Sequence, residues 1–207
     1  MTPTSKLEAV NIMLSRIGEA PVNSLTSGLE DAELAETILL ATSREVQSKG
    51  WVFNTDLDYS LTPDATTKHI NLPSNTLKVD TRNTVRKSAT DVVERGRRLY
   101  DRSTHTYEFT DNVKVDIVTQ LDFNDLPEPA RRYITLKSAR VFQDAVLGSE
   151  SLHNFHRLDE NQAWIELQDY QADTGDFNIF DSYDVAETIL RDFQYVTSDS
   201  SSIANTT

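Results

Sequence analysis

The sequence predicts an α+β fold: a four-helix bundle, made of two helix pairs, with an inserted antiparallel β-region and an extended C-terminal tail. Two observations lead to this prediction. Apolar residues recur at helical spacing on both sides of the chain's middle third, and within that third β-branched and aromatic residues alternate between turn residues. The simplest way to bury four narrow apolar stripes is a single bundle from which the sheet projects.

The first helix pair is predicted over residues 5–17 and 29–49. Ser5 precedes Glu8 at the spacing of a capping box, and Gly18 ends the first helix. The stripe of the first helix is Leu7, Val10, Leu14 and Ile17. The stripe of the second helix is Ala32, Ala35, Ile38 or Leu39, Thr42 and Val46. Both stripes are narrow, so each helix should bury one side only.

The second helix pair is predicted over residues 128–147 and 150–173. Proline is tolerated in a first helical turn, so Pro129 agrees with a helix that starts near residue 128. Its predicted inner face is Ala130, Ile134, Ser138, Val141 and Ala145. The inner face predicted for the last helix is Leu152, Phe155, Ala163, Leu167 and Tyr170.

Short strands are predicted between the two helix pairs. The candidates are residues 51–54, 57–61, 77–80, 91–95, 98–101, 105–109 and 113–120. Turn sequences at 95–97 and 110–112 predict two hairpins. In the last strand, Val113, Val115, Ile117 and Thr119 are expected on one face and Lys114, Asp116, Val118 and Gln120 on the other.

These elements predict three parts of the chain. Residues 1–50 and 126–173 form the helical bundle domain, and residues 51–125 form the β-rich insert domain. Residues 174–207 form a tail, rich in Ser, Thr, Asp and Asn towards its end, which we expect to be partly disordered when alone.

Composition excludes several classes of protein. The 207 residues carry a formal net charge of −13, which repels phosphate and argues against binding of free duplex DNA. There are no cysteines, which excludes disulfides, thiolate zinc sites and cysteine nucleophiles. No window is apolar enough for a transmembrane helix, and the first ten residues do not have the pattern of a secretory signal.

Catalytic signals are weak. The chain has no Gly-rich phosphate loop, no GxSxG and no HExxH motif. His153, His156 and Glu160 follow helical spacing and are candidates for a transition-metal site, but surface polar residues give the same pattern. The aspartate pairs at 56/58 and 122/125 are possible magnesium ligands, although turns also favour aspartate. We therefore predict no enzyme activity, no catalytic residue and no cofactor.

Charge is unevenly distributed. Residues 82–102 carry seven basic and three acidic side chains, whereas residues 150–207 carry twelve acidic and two basic ones. Opposite charges on one chain suit head-to-tail packing of copies. Candidate contacts with another copy or a partner are Arg95, Arg97, Arg98, Arg102 and the tail residues Phe177, Ile179, Phe180 and Tyr183. A nucleic-acid patch or plain solvation are the alternatives for the basic stretch, which contains Tyr100 but no aromatic array for stacking bases.

Five segments carry a resemblance to a known family: Leu7–Asn11, Ile17–Val22, Ile38–Asn54, Leu99–Ser103 and Leu121–Phe142. They resemble the tail tubular protein A family, the adaptor or gatekeeper proteins of short-tailed bacteriophages (podoviruses). Together they extend over nearly the whole chain to about residue 180. The sequence departs from the family pattern at residues 62–90 and in the last two dozen residues.

The resemblance implies a structural virion protein in the phage tail, assembled in the host cytoplasm. Such adaptors form a ring of twelve copies between the portal and the tubular nozzle (a tail tubular protein B type). The ring encloses the channel for DNA ejection, so genomic DNA would pass through the lumen without specific binding, and tail fibres attach nearby. No membrane is implied. Two alternatives stay open: a head-completion or connector protein of another tail type, and a metal-dependent hydrolase.

Overall fold

A computed structural model of the chain describes residues 3–26, 28–81 and 91–175. Within them, the helices are α1 (Lys6–Ile17), α2 (Glu30–Gln47), α3 (Glu128–Val146) and α4 (Glu150–Thr174). The strands are β1 (Thr55–Leu61), β2 (Thr76–Asp80), β3 (Val92–Arg95), β4 (Arg98–Asp101) and β5 (Val113–Thr119). The predicted α+β fold class is confirmed, and the predicted tail lies outside the described residues from residue 176 onwards.

Capping residues set the ends of α1 as the sequence indicates. The Ser5 hydroxyl accepts a hydrogen bond from the backbone N–H of Glu8 at 3.2 Å. At the other end Gly18 adopts a φ of 86°, a left-handed conformation that closes a helix without a steric penalty. α1 therefore begins and ends next to the residues that its sequence offers as caps, Ser5 and Gly18.

The four helices share one hydrophobic core, in which α3 packs against α1, α2 and α4. Trp51 follows α2 in the chain, and its ring packs edge-on against the ring of Trp164 of α4, with centroids 5.5 Å apart. The larger fully buried side chains of this core are Met13, Leu14, Leu39, Phe123, Leu126, Ile134, Phe142 and Leu167. Because α1 and α2 precede the β-region and α3 and α4 follow it, two separate stretches of chain build the bundle.

The β-region contains a three-stranded antiparallel sheet in the order β1–β5–β2 and a separate β3–β4 hairpin. A second hydrophobic cluster lies here. Its members are Leu61, Ile70, Leu72, Val79, Val92, Leu99, Phe109, Val115 and Ile117. The sheet is thus built around β5, the strand that comes last in the sequence.

Two strand predictions are wrong. Residues 51–54 end in a short 3₁₀ turn (Val52–Asn54), in which the Asn54 side chain accepts from the backbone N–H of Trp51 at 2.8 Å. Residues 105–109 form only isolated bridges, so the second predicted hairpin does not exist. β5 pairs with β1 and β2 instead, because long-range pairing has overridden the local turn signal at 110–112.

Buried amide side chains join the end of α2 to the sheet. The Gln47 side chain accepts from the backbone N–H of Leu121 at 2.8 Å and donates to the carbonyl of the same residue at 3.1 Å. Asn54 donates to the carbonyls of Gln47 and Thr119, at 3.0 and 2.9 Å. Val118, predicted on the polar face of β5, is buried, and a Cβ on Gly50 would lie 3.1 Å from it.

Candidate subunit interface

The β3–β4 hairpin positions the basic residues that the sequence singled out. Arg95 pairs with Arg98 across the hairpin. Gly96 and Arg97 between them have φ values of 59° and 63°, the two successive left-handed residues that a type I′ turn requires. The hairpin predicted at 95–97 is therefore confirmed, and its tight turn places arginines on both strands close together.

Arginine and tyrosine side chains stack on this hairpin. The Arg95 guanidinium lies 3.9 Å from the centroid of the Tyr100 ring, and the Arg98 guanidinium lies 4.8 Å from that of Tyr107. The two tyrosine rings meet at a centroid distance of 4.9 Å. We call these four residues the Arg–Tyr patch. Because stacking holds the guanidinium groups in place, little conformational entropy is lost when an acidic partner binds them.

Neighbouring polar residues hold the patch in place. Arg98 lies 3.2 Å from His69 Nδ1. In the loop after β4, Asp101 accepts from the backbone N–H of Ser103 at 2.7 Å and from the Thr104 hydroxyl at 2.8 Å. Burial alone would raise the pKa of Asp101, but the hydrogen bonds from Thr104 and Ser103 outweigh burial and lower it. The carboxylate therefore stays charged and orders the loop.

The other two predicted arginines have different surroundings. Arg97 donates to the carbonyls of Pro73 and Thr76, so it links the hairpin to the segment that leads into β2. Arg102 forms an ion pair with Asp91 at 3.4 Å, and both side chains are at least half exposed. Arg102 and Asp91, together with Arg95 and Tyr100, border a shallow cavity of about 380 Å³. Arg102 and Arg95 are thus available to a partner, whereas Arg97 has a structural role.

Tyr107 belongs to the patch, but sequence reasoning missed it. It lies outside the basic stretch, in the segment that was predicted to be a strand. Its ring reaches Tyr100 because the 101–106 loop folds back, through an isolated bridge between Asp101 and Thr106. A local pattern contains no signal for such a contact, since it depends on the turn after β4.

α4 presents a second distinctive surface. Phe155, which we predicted to face the core, is 68% exposed, and Leu158 and Ile165 are also exposed. The inner face of α4 is instead made by His156, Ala163 and Leu167. The prediction failed because apolar residues lie on two sides of this helix, and the spacing of the outer set also fits a stripe. The last residue of the α3 stripe, Ala145, is exposed as well.

Two matches to known proteins cover most of the chain. The family described as tail tubular protein matches residues 7–177, which include the four helices except Lys6, the first residue of α1, and the whole β-region. The chain is also 29% identical over 166 residues to Tail tubular protein A of Klebsiella phage KP34, a match that covers 80% of this chain and 86% of the relative.

The chain belongs to the tail tubular protein family.

Membership of the tail tubular protein family makes the chain a structural component of a phage virion tail. Other components of the tail are therefore its partners. Within the part of the chain that the structure describes, no helix is both long and apolar enough to span a membrane.

In this member of the tail tubular protein family, two of the three metal candidates, His153 and Glu160, have other partners. His153 Nδ1 lies 2.8 Å from Asp144, and Glu160 accepts from Arg140 at 2.5 Å. The Glu160 hydrogen bond raises the pKa of Arg140. His156 is buried among helices, and burial, reinforced by Arg16, lowers its pKa. Across residues 3–26, 28–81 and 91–175, no three His, Asp or Glu side chains are grouped so as to hold a metal ion.

The aspartate pairs serve local structure. Asp122 accepts from the backbone N–H of Asn124 at 3.0 Å and caps a short 3₁₀ turn. Asp58 has a φ of 55°, and its backbone N–H donates to Asp116 at 3.0 Å, next to an irregularity in the pairing of β1. The contact of Asp122 agrees with the interpretation of its pair as turn residues. Asp56 and Asp58 lie instead within β1, at the irregularity of its pairing.

Some predicted contact residues lie outside the described part of the chain. They are Phe177, Ile179, Phe180 and Tyr183 of the tail. The first three basic residues of the basic stretch, Arg82, Arg86 and Lys87, lie outside it as well. The candidate interface therefore consists of the Arg–Tyr patch with Arg102, together with the outer face of α4.

Proposed function

We propose that this chain is the tail adaptor of a short-tailed phage: a ring, of twelve copies, between the portal and the tail nozzle. The ring encloses the channel through which the genome leaves, and tail fibres attach near its junction with the nozzle. The observation that carries this proposal is the similarity to Tail tubular protein A along 80% of the chain.

The distribution of charge supports a ring. Residues 92–102, which form the β3–β4 hairpin and the residue after it, carry four arginines and two acidic residues, whereas α4 carries six acidic residues and one arginine. Two different surfaces of opposite charge favour head-to-tail contacts between copies, and such contacts close into a ring when the rotation between neighbours allows it. A self-complementary patch would instead give a closed dimer.

The overall acidity suits a channel for DNA. With a formal net charge of −13 per copy, a ring of many copies repels the phosphate backbone and limits adhesion of the genome as it passes. The role we propose is therefore mechanical and non-catalytic, and genomic DNA crosses the lumen without specific binding.

The decisive experiment is native mass spectrometry of the purified chain, alone and after mixing with its cognate portal. The proposal expects a multi-copy ring on the portal, with a copy number that matches the symmetry of the portal. A chain that does not bind the portal contradicts the proposal. The cognate nozzle protein, added afterwards, should bind only to the portal–ring complex.

A second test concerns the tail. We expect that deletion of residues 176–207 leaves the circular dichroism spectrum of the helices intact and prevents incorporation into portal rings. The reason is that the tail contains aromatic residues suited to docking on a neighbour or on the portal. A truncated chain that joins portal rings as well as the full chain would show that the tail is dispensable for assembly.

A further inference from the structure

The outer face of α4 has the pattern of a helix-packing seam. Phe155, Leu158 and Ile165 are 68%, 67% and 49% exposed. With Gln162 they follow each other at intervals of three, four and three residues, which places them in one line along the helix. Ten residues at about 1.5 Å each give a seam about 15 Å long. We call these four residues the α4 seam.

Acidic side chains border the α4 seam. Asp169 lies one turn beyond Ile165, and Asp173 one turn further. Both residues are exposed, and among the described residues neither side-chain carboxylate has a hydrogen bond or an ion pair. Asp159 and Glu166, beside the seam, form ion pairs with Arg16 and Arg132 at 3.5 and 3.3 Å. A partner that fits this surface must offer apolar or aromatic area together with positive charge.

The Arg–Tyr patch has both properties. Tyr100 and Tyr107 offer half-buried aromatic faces, while Arg95 and Arg98 are held over those faces by stacking. Arg102, beside the patch, has a side chain 58% exposed. Tyrosine and arginine are the residue types that contribute most to protein–protein interfaces. The charge of the patch is opposite to that of the residues around the α4 seam.

Pairing of two α4 seams with each other fits less well. In an antiparallel pair, Asp159 and Glu166 of one helix would lie close to the same acidic residues of the other, and like charges repel. A self-paired seam would also join two copies only, because such contacts are isologous.

We propose that the α4 seam of one copy docks on the Arg–Tyr patch of the next copy. In this contact Ile165, at the C-terminal end of the seam, packs against the tyrosine rings. Asp169 and Asp173, one and two turns beyond Ile165, lie near Arg95 and Arg102. The inference rests on the proposed ring and deepens it, because it names the two surfaces that alternate around that ring.

The first test removes the apolar side chains. The full-length triple variant Phe155→Ser, Leu158→Ser, Ile165→Ser changes exposed positions only, and Leu34→Ser on α2, 43% exposed in the native chain, is the matched control. In native mass spectrometry with the portal, we expect at least a tenfold loss of ring for the triple variant and no change for the control. Full ring formation by the triple variant overturns the inference.

The second test exchanges charges and asks for rescue. We expect rings to be lost in Asp169→Lys, Asp173→Lys and equally in Arg95→Glu, Arg102→Glu, and to return when the four substitutions are combined in one chain. Rescue supports direct pairing of the two surfaces, and its absence overturns that pairing. If the wild-type chain and all these variants form rings equally well, the inference fails but the proposed function does not. A wild-type chain that forms no ring overturns the proposed function and the inference together.

Discussion

At the scale of single residues, buried polar side chains determine how the helices join the sheet. Gln47 is fully buried, and its amide satisfies both backbone groups of Leu121. An unpaired buried backbone group destabilises a protein by about 1–3 kcal/mol, far more than the net gain of an ordinary hydrogen bond. One amide side chain thus fixes where the chain re-enters the helical bundle.

We predict that Gln47→Met lowers the free energy of unfolding by about 1–3 kcal/mol, because methionine keeps the length of the side chain but leaves Leu121 unpaired. Urea unfolding at fixed protein concentration measures the change. Gln168→Met, at an exposed position of α4, is the control and should lie within about 0.5 kcal/mol of the native chain. Equal stability of the two variants would show that water replaces the lost hydrogen bonds.

The lowered pKa of His156 makes the free energy of unfolding depend on pH. Burial, with a contribution from Arg16 of α1, holds its folded pKa below the ordinary value of 6.5. Asp144 of α3 and Asp159 of α4 oppose this shift, and His153 adds to it. As pH falls through 6.5 the unfolded chain therefore binds the proton first, and the stability present at higher pH is progressively lost.

Substitution of His156 should remove this dependence. Between pH 7.5 and 5.5, we expect the stability of His156→Met to rise relative to the native chain, by at most about 1.4 kcal/mol per pH unit. Urea unfolding across this range measures the difference. His105→Asn, at an exposed position, should follow the native curve, and parallel curves for His156→Met would contradict the prediction.

At the scale of elements, the helices and the β3–β4 hairpin were predicted well, but the long-range pairing of β5 was not. Every predicted helix lies within two residues of its observed bounds, since caps and apolar spacing are local signals. β5 was predicted correctly as a strand, but its partners β1 and β2 lie more than thirty residues earlier, and no turn sequence indicates such pairing. For the interface, the arginines were predicted, whereas Tyr107 and the outward side of Phe155 depend on tertiary packing.

Gly50, the glycine after α2, lies at a close contact between the end of this helix and β5. Gly50 has a φ of 79°, and a Cβ there would lie 3.1 Å from Val118 of β5. Gly18, after α1, has a φ of 86° and no atom within 4 Å of such a Cβ. The left-handed conformation alone makes alanine about 1–2 kcal/mol less favourable than glycine.

We therefore predict that Gly18→Ala destabilises the chain by about 1–2 kcal/mol and that Gly50→Ala destabilises it more, because Val118 must also shift. Thermal or urea unfolding of both variants checks the order. The opposite order, or equal losses, would show that the backbone between α2 and β1 yields without affecting β5.

At the scale of the whole molecule, two hydrophobic clusters support the proposed division into a helical bundle domain and a β-rich insert domain. Leu99 is fully buried in the second cluster, whereas Ile134 is fully buried in the first. If each cluster is a cooperative unit, a cavity in one should leave local opening of the other unchanged.

Hydrogen–deuterium exchange can test this division. We predict that Leu99→Ala, a change of about 2–5 kcal/mol, speeds exchange in β3, β4 and β5 but leaves α1 and α3 protected. Ile134→Ala should give the reverse pattern. Uniform acceleration of exchange in both regions by either variant would indicate a single cooperative unit.

The bundle is built from two separate stretches of chain, and this arrangement has a consequence for synthesis on the ribosome. α2 ends at Gln47, but its partner α3 is complete only at Val146. At about 5–20 residues per second, the intervening segment takes roughly 5–20 s to translate. Throughout that interval the nascent α1–α2 pair exposes the apolar face that α3 will cover, so newly made chains are candidates for chaperone binding before any ring can form.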